Sequence, residues 1–162
     1  MYSVGILTAS DKGSSGKRDD LSGAAIREFI EALGWKVKAY LIVPDDLEGL
    51  EKALLAMCDE EKLDLIFTTG GTGFSPRDNT PEATKKVIEK EVPGIPEIMR
   101  LESSKKTPQA MLSRATAGIR KGTLIINLPG SIKAVKECLD ILFPTLIHGM
   151  EILTGRTGEC GG

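Results

Sequence analysis

The run Thr68-Thr69-Gly70-Gly71-Thr72-Gly73-Phe74-Ser75-Pro76-Arg77-Asp78-Asn79-Thr80-Pro81 gathers more reactive chemistry than any other part of the chain. It follows an apolar β-type run, Leu63-Asp64-Leu65-Ile66-Phe67, and leads into a helical pattern beginning near Thr80. Glycines let backbone N–H groups approach an anion, and a helix N-terminus adds positive potential. A strand that turns through glycines into a helix can therefore hold phosphate. Arg77 adds a guanidinium to the loop and Asp78 a possible metal ligand. The same glycines also suit a tight turn with no ligand, and the cluster alone does not decide between the two.

The elements that must position this loop follow from periodicity. Residues 4–9 form an apolar run that ends in Thr8-Ala9-Ser10-Asp11, read as a first strand. The glycine- and serine-rich stretch 12–19 is expected to be a mobile loop. From Leu21, apolar residues recur at helical spacing, and Gly34 stands where a helix-closing glycine belongs. Residues 35–43 read as the second strand, closed by Pro44-Asp45-Asp46. Leu47, Leu50, Leu54 and Met57 mark a helix with Asp46 as N-cap. Residues 63–68 make the third strand. Thr80 is expected to cap the next helix, with Pro81 in its first turn, where a missing N–H costs nothing. Pro93-Gly94 breaks that helix, and 95–105 form another. Residues 115–120 and 123–128 read as strands around a Lys121-Gly122 hairpin turn, adding one antiparallel edge strand. Pro129-Gly130-Ser131 opens a last helix striped by Val135, Leu139, Leu142, Leu146, Met150 and Leu153, which Pro144 could kink.

Strands alternate with helices throughout. The fold class is α/β: a three-layer sandwich with a mainly parallel mixed sheet and helices on both faces. One domain covers 1–155, and 156–162 form a flexible glycine-rich tail that carries Cys160. In such sheets ligands bind beyond the carboxyl ends of the strands. Four strand ends here are small, hydroxylic or acidic: those at Ser10-Asp11, at Asp45-Asp46, at the glycine loop, and at Asn127-Leu128-Pro129-Gly130-Ser131. If those strands run the same way, two anion nests and the carboxylates Asp11, Asp45 and Asp78 share one rim. Carboxylates beside phosphate nests suit Mg²⁺, which takes one or two carboxylates plus substrate phosphates. Phosphoryl and nucleotidyl transfer require mainly charge neutralisation and alignment.

Composition narrows the alternatives. With 162 residues, 41% hydrophobic and 27% charged, the chain suits a folded globular domain. A net charge of −2 with dispersed basic residues argues against a nucleic-acid binder. The separated cysteines Cys58, Cys138 and Cys160 read as reduced thiols; with no targeting segment or membrane span visible, a cytoplasmic setting is expected. Gly13-Ser14-Ser15-Gly16-Lys17-Arg18 lacks the four-residue spacing and following Ser/Thr of a phosphate-binding P-loop. Gly71-Thr72-Gly73-Phe74-Ser75-Pro76 carries proline where a dinucleotide fingerprint has its last glycine. No Cys/His spacing suits zinc.

Taken together, the segment from Gly70 through Thr84 resembles the signature of the molybdopterin adenylyltransferases, a family that includes the gephyrin G domain. Leu7-Thr8-Ala9-Ser10-Asp11, Val43-Pro44-Asp45, Met111-Leu112-Ser113-Arg114 and Ile126-Asn127-Leu128-Pro129-Gly130 extend the similarity over about residues 3–155. The resemblance implies Mg²⁺-dependent transfer of AMP from ATP to the terminal phosphate of molybdopterin, with release of pyrophosphate. It implies a homotrimer and transient contact with a molybdate-insertion protein, with no nucleic-acid or membrane partner. It assigns catalysis and metal binding to Asp45 and Asp78. It places nucleotide and phosphate at Ser10, Asp11, Gly70, Gly71, Thr72, Gly73, Pro76 and Arg77, and the pterin at Ser103, Ser113, Asn127, Pro129, Gly130 and Ser131. Alternatives are a pterin-binding relative without efficient adenylylation, a scaffold protein, and a nucleotide-salvage enzyme on the same domain, whose loop would carry Leu in place of Thr72. Unaided by the resemblance, Asp46 competes with Asp45 for the metal role, Arg77 reads as a surface residue, and Ser103 and Ser113 carry little signal. Cys58 and Cys138 read as core fillers and His148 as a surface residue.

Overall fold

The computed structural model describes residues 1–156. Six strands form one sheet in the order β2-β1-β3-β6-β5-β4. β1 (Ser3–Ala9), β2 (Lys36–Val43), β3 (Leu65–Thr69) and β6 (Thr123–Leu128) are mutually parallel. The central strands β1, β3 and β6 are buried almost throughout, as parallel strands covered on both faces must be. Alternation along them divides the core into two. Ile6, Phe67 and Ile126 pack with α2 (Leu21–Ala32), α5 (Gly94–Ser104) and α6 (Ile132–Thr154). Their neighbours Leu7, Ile66 and Ile125 pack under α3 (Leu47–Leu55) and α4 (Thr80–Val87). The two-residue period of a strand thus produces the expected three layers.

The chain leaves β1 for β2 on one side and returns to β3 on the other. Side-by-side parallel strands whose connections depart in opposite directions leave a crevice at their carboxyl ends. Here that crevice opens between Ala9 and Gly70, and register holds its walls level, with Thr8 opposite Thr69 and Thr69 opposite Leu128.

Several local expectations change. The hairpin adds the one expected antiparallel strand, β5 (Ala117–Arg120), beside β6, but that strand is not the edge: the two-residue β4 (Lys90–Glu91) pairs antiparallel with its outer side. Lys121 turns the hairpin with φ 52°. Part of the stretch expected to be a loop is a single helical turn, α1 (Asp11–Ser14), because the Ser10 hydroxyl accepts the Gly13 amide at 2.9 Å. Asn79, not Thr80, precedes α4. Thr80 is fully buried in the first turn, where its amide donates to the Gly71 carbonyl at 3.2 Å and seats the helix against the glycine loop. Leu21, where the helical spacing begins, is exposed, as is Leu33 at the other end of α2, and Ser22, Gly23, Ala25, Ile26 and Ile30 form its buried face. A π-helical turn, Ala56–Glu60, extends α3, and a 3₁₀ turn, Pro108–Leu112, precedes β5. α6 continues through Pro144, which lies on its exposed side, and closes on left-handed Gly155. Cys58 and Cys138 are buried, as expected. The expected tail with Cys160 lies, beyond Arg156, outside the described residues. Among the described residues no helix is long and apolar enough to cross a membrane.

Candidate functional site

Two clefts lie on the strand-end rim and meet at the glycine loop. The first, of about 440 Å³, is floored by the ends of β1 and β3 and takes Asp45 from the end of β2 and Gly130 and Ser131 from the end of β6. All four strand ends therefore converge. The second, of about 470 Å³, lies between α5, the 3₁₀ turn and the start of α6. Gly70 and Gly71 face the first cleft, Thr72 and Gly73 the second, and Ser131 borders both.

The glycines at the junction are sterically required. A Cβ on Gly70 would stand 2.5 Å from the Ala9 carbonyl oxygen, and one on Gly71 would stand 2.3 Å from the Thr80 hydroxyl. Both residues also hold left-handed backbone, at φ 86° and 70°. The Thr69 hydroxyl donates to the Pro129 carbonyl at 2.6 Å, and the Ser22 hydroxyl donates to the Gly130 carbonyl, so the two nests are tied to each other and to α2. Ser131 caps α6 by accepting the Ala134 amide at 3.2 Å. The N-terminus of that helix therefore opens onto both clefts.

The carboxylates are sorted by their partners. Asp46 is occupied as the N-cap of α3, accepting the Gly49 amide at 2.9 Å, and Asp45 is left to line the cleft. Asp78 accepts the Ser75 amide at 3.0 Å, while its own amide donates to the Ser75 carbonyl at 2.9 Å. This closed turn presents the Asp78 carboxylate to the first cleft. Burial raises the Asp45 carboxyl above its ordinary pKa. The charges of Asp11 and Asp78 push the same way, against the hydrogen bond from the Asp11 amide.

The sequence of residues 5–148 matches the family described as the probable molybdopterin binding domain. This chain belongs to that family. It is 49% identical over 155 residues to a Helicobacter pylori protein named molybdopterin adenylyltransferase, covering 94% of this chain and 88% of that protein. It is 40% identical over 140 residues to the Escherichia coli K12 protein of the same name, covering 85% of this chain and 71% of that one. A solved structure of the molybdopterin biosynthesis enzyme MoaB from Thermus thermophilus superposes with a TM-score of 0.90 at 50% identity, covering 96% of this chain and 98% of that chain.

Within this molybdopterin-binding-domain framework the candidate residues separate. Ser10, Asp45, Gly70, Gly71 and Asp78 line the first cleft together with Gly130. Thr72, Gly73, Ser103, Ser113 and Pro129 line the second. Gly130, assigned to the pterin from sequence, lines the first cleft with Gly70 and Gly71, whereas Thr72 and Gly73, assigned to nucleotide and phosphate, line the second.

Four candidates line neither cleft. Pro76 is exposed inside the turn that Asp78 closes, where its fixed φ shapes the loop. Arg77 does not extend toward a ligand: its guanidinium grips Asp11 through two bonds, Nη2 to Oδ1 at 2.8 Å and Nε to Oδ2 at 3.1 Å. Asp11 is held below its ordinary pKa by that guanidinium; its amide donates to the Asp45 carboxylate at 3.1 Å, and the Asp45 amide donates back to the Asp11 carboxylate at 3.0 Å. It therefore braces Asp45 and stands behind the cleft. Asn127 is fully buried. Its Nδ2 donates to the Thr68 and Thr84 hydroxyls, each at 2.9 Å, and its Oδ1 accepts the Thr116 amide at 3.1 Å. With both N–H donors and one carbonyl lone pair engaged and no surface exposed, this amide ties β3, α4 and β6 together and presents nothing to a ligand.

Sequence reasoning missed Asp20. It caps α2 through the Gly23 amide at 3.0 Å, accepts the Thr8 hydroxyl at 2.7 Å and the Tyr40 hydroxyl, and borders the first cleft. Its position one residue before the apolar stripe beginning at Leu21 was the available signal. Arg18 supplies the guanidinium of that cleft, in a segment read only as a loop. Arg100, Thr107, Gln109 and Lys133 in the second cleft come from separate elements, and no local motif joins them.

Proposed function

We propose that this protein is a molybdopterin adenylyltransferase. A terminal phosphate oxygen of molybdopterin attacks the α-phosphorus of ATP, the α–β phosphoanhydride bond breaks, pyrophosphate leaves, and AMP remains joined to the pterin. The observation that carries this reading is the pair of unlike clefts sharing the Gly70–Gly73 junction and Ser131. One is polar and acidic; the other is lined by Phe74, Met99 and Leu112 with Ser103, Ser113 and Lys133 among them. A polyphosphate and a flat heterocycle seated in these clefts would bring their phosphates together at Ser131, at the N-terminus of α6. The relatives' names point the same way. No protein nucleophile is needed; the chain contributes alignment and charge placement.

The first cleft presents Asp19, Asp20, Asp45 and Asp78 against one guanidinium, Arg18. Such a wall repels polyphosphate unless a cation lies between them. Among the described residues no three His, Cys, Asp or Glu side chains form a set able to hold a metal alone. A cation here would therefore take further ligands from phosphate oxygens and water, as Mg²⁺ does. Asp45, its charge disfavoured by burial and like neighbours, and Asp78 fit that ion as its protein ligands. When bound, Mg²⁺ would neutralise the phosphates and polarise the α-phosphorus. An apolar groove of about 510 Å³ lined by Val92, Ile95, Ile98, Ile119 and Leu153 is assigned to the contact between subunits of a homotrimer. A cytoplasmic site of action and a transient encounter with a molybdate-insertion protein complete the reading.

The test is direct. The purified protein is incubated with molybdopterin, α-labelled ATP and Mg²⁺, and pyrophosphate and labelled pterin are quantified. Equimolar release and labelling are expected. Tight pterin binding without either product would instead make this a binding relative.

A further inference from the structure

Arg114 belongs to a segment noted in the sequence without any role for this side chain, and the mechanism above does not use it. Its guanidinium reaches across both ends of the loop that carries Asp78. Nε donates to the Gly73 carbonyl at 2.8 Å, and Nη2 donates to the Asp78 carbonyl at 2.9 Å. Nη1 pairs with the Glu82 carboxylate in the first turn of α4. The Arg114 amide adds a fourth bond, to the Thr72 carbonyl at 2.9 Å. A planar fork meeting three acceptors fixes distance and angle together, which a lysine ammonium cannot do.

Arg114 is itself held in place. It directly follows Ser113, which lines the second cleft, and Arg100 from α5 donates to the Ser113 and Ala115 carbonyls on either side of it at 3.3 and 3.0 Å. Arg100 on α5, a wall of the second cleft, therefore anchors the backbone on both sides of Arg114, and Arg114 holds the turn that aims the Asp78 carboxylate into the first cleft.

We propose that Arg114 is a positioning residue that fixes the Asp78 carboxylate in the nucleotide cleft from the segment whose preceding residue, Ser113, lines the pterin cleft. The proposal rests on the adenylyltransferase reading and adds to it the residue that holds the catalytic loop in register. A misplaced carboxylate weakens alignment at the reacting phosphorus more than it weakens ground-state binding. Its loss therefore falls on kcat.

The experiment compares wild type, Arg114→Met and Arg114→Lys in AMP transfer to molybdopterin and in hydrogen exchange without ligands. Arg114→Met is expected to lower kcat about thirtyfold with KM for ATP changed less than about threefold. Arg114→Lys, able to reach one acceptor at a time, should recover only part of the loss. Exchange at the amides of 73–78 should rise about tenfold in Arg114→Met while β1, β3 and β6 stay protected. Unchanged kcat together with unchanged exchange in the loop would overturn the proposal. So would equal loss of protection across the sheet, which marks a general folding role; if Arg114→Met does not fold, Arg114→Lys carries the same kinetic and exchange comparison. A wild-type protein inactive in transfer would instead remove the functional reading, and the exchange comparison would still decide whether Arg114 holds the loop.

Discussion

The two clefts share a border yet are built in different ways. The first is made of backbone and short side chains at four consecutive parallel strand ends, with acidic groups held by one another and by Arg77. The second is made of longer side chains from two helices and a 3₁₀ turn, and its lining is largely apolar. Acidic and apolar linings thus lie on opposite sides of one glycine loop. That separation predicts that variants in the two clefts fail in different ways.

The largest effect is expected at Asp78. Asp78→Ala should lower AMP transfer by about 10³-fold while leaving the pterin Kd within about threefold, because losing one of the two carboxylates proposed to hold the cation that neutralises the reacting phosphates costs several kcal/mol, felt mainly in the transition state. Near-wild-type turnover would break the comparison on the first cleft. Phe74 tests the second. Phe74 is exposed on the cleft wall, and Phe74→Ala should raise the pterin Kd about five- to tenfold with the ATP Kd unchanged, measured by calorimetry. An equal loss of nucleotide affinity would mean that the clefts are not separate.

Asn127 sharpens the line between binding and scaffolding. Asn127→Ala leaves the Thr116 amide and the Thr68 and Thr84 hydroxyls short of a partner. It should destabilise the protein by about 2–4 kcal/mol in denaturant melts and leave pterin affinity intact in the folded fraction.

The smallest effects are in pH. The folded-state pKa of Asp45 is raised, so the metal-free fold gains from this group as pH falls through that value, while affinity for Mg²⁺-ATP falls over the same range as the carboxylate is lost. Asp59, held by Arg120 at about 2, acts oppositely. Its contribution is present above the ordinary aspartate pKa of about 4 and is lost as pH falls toward 2. In nucleotide titrations between about pH 4 and 7, Asp45→Asn should bind weakly and flatten the dependence, whereas Asp59→Asn should leave it unchanged.

The same contrast explains what was legible in the sequence. The strands and their shared direction followed from apolar runs alternating with helical stripes, and most of the first cleft followed because four of its walls are short contiguous motifs at strand ends; the wall from Arg18 to Ser22, at the start of α2, is not one and was missed. Asp45 over Asp46 was not legible from residue type. It depends on which carboxylate the α3 N-terminus takes, and that role went to Asp46. Arg77 and Asn127 carry ligand-binding side chains, yet both are satisfied inside the protein, by Asp11 and by three threonines. Motif reading assigns a side chain by its type and cannot see a competing internal partner. Arg100, Gln109 and Lys133 were invisible because α5, with the 3₁₀ turn against it, and α6, further along the chain, become neighbours only in the packed fold.

The central claim is that nucleotide and pterin occupy adjoining clefts that meet at the glycine junction. A crystal structure with molybdopterin, Mg²⁺ and a non-hydrolysable ATP analogue tests it most directly. Triphosphate density is expected between Gly70-Gly71 and Asp45, pterin density against Ser103 and Ser113, and facing phosphates at Ser131. Density for either ligand away from its cleft, or phosphates separated by the glycine loop, would contradict it.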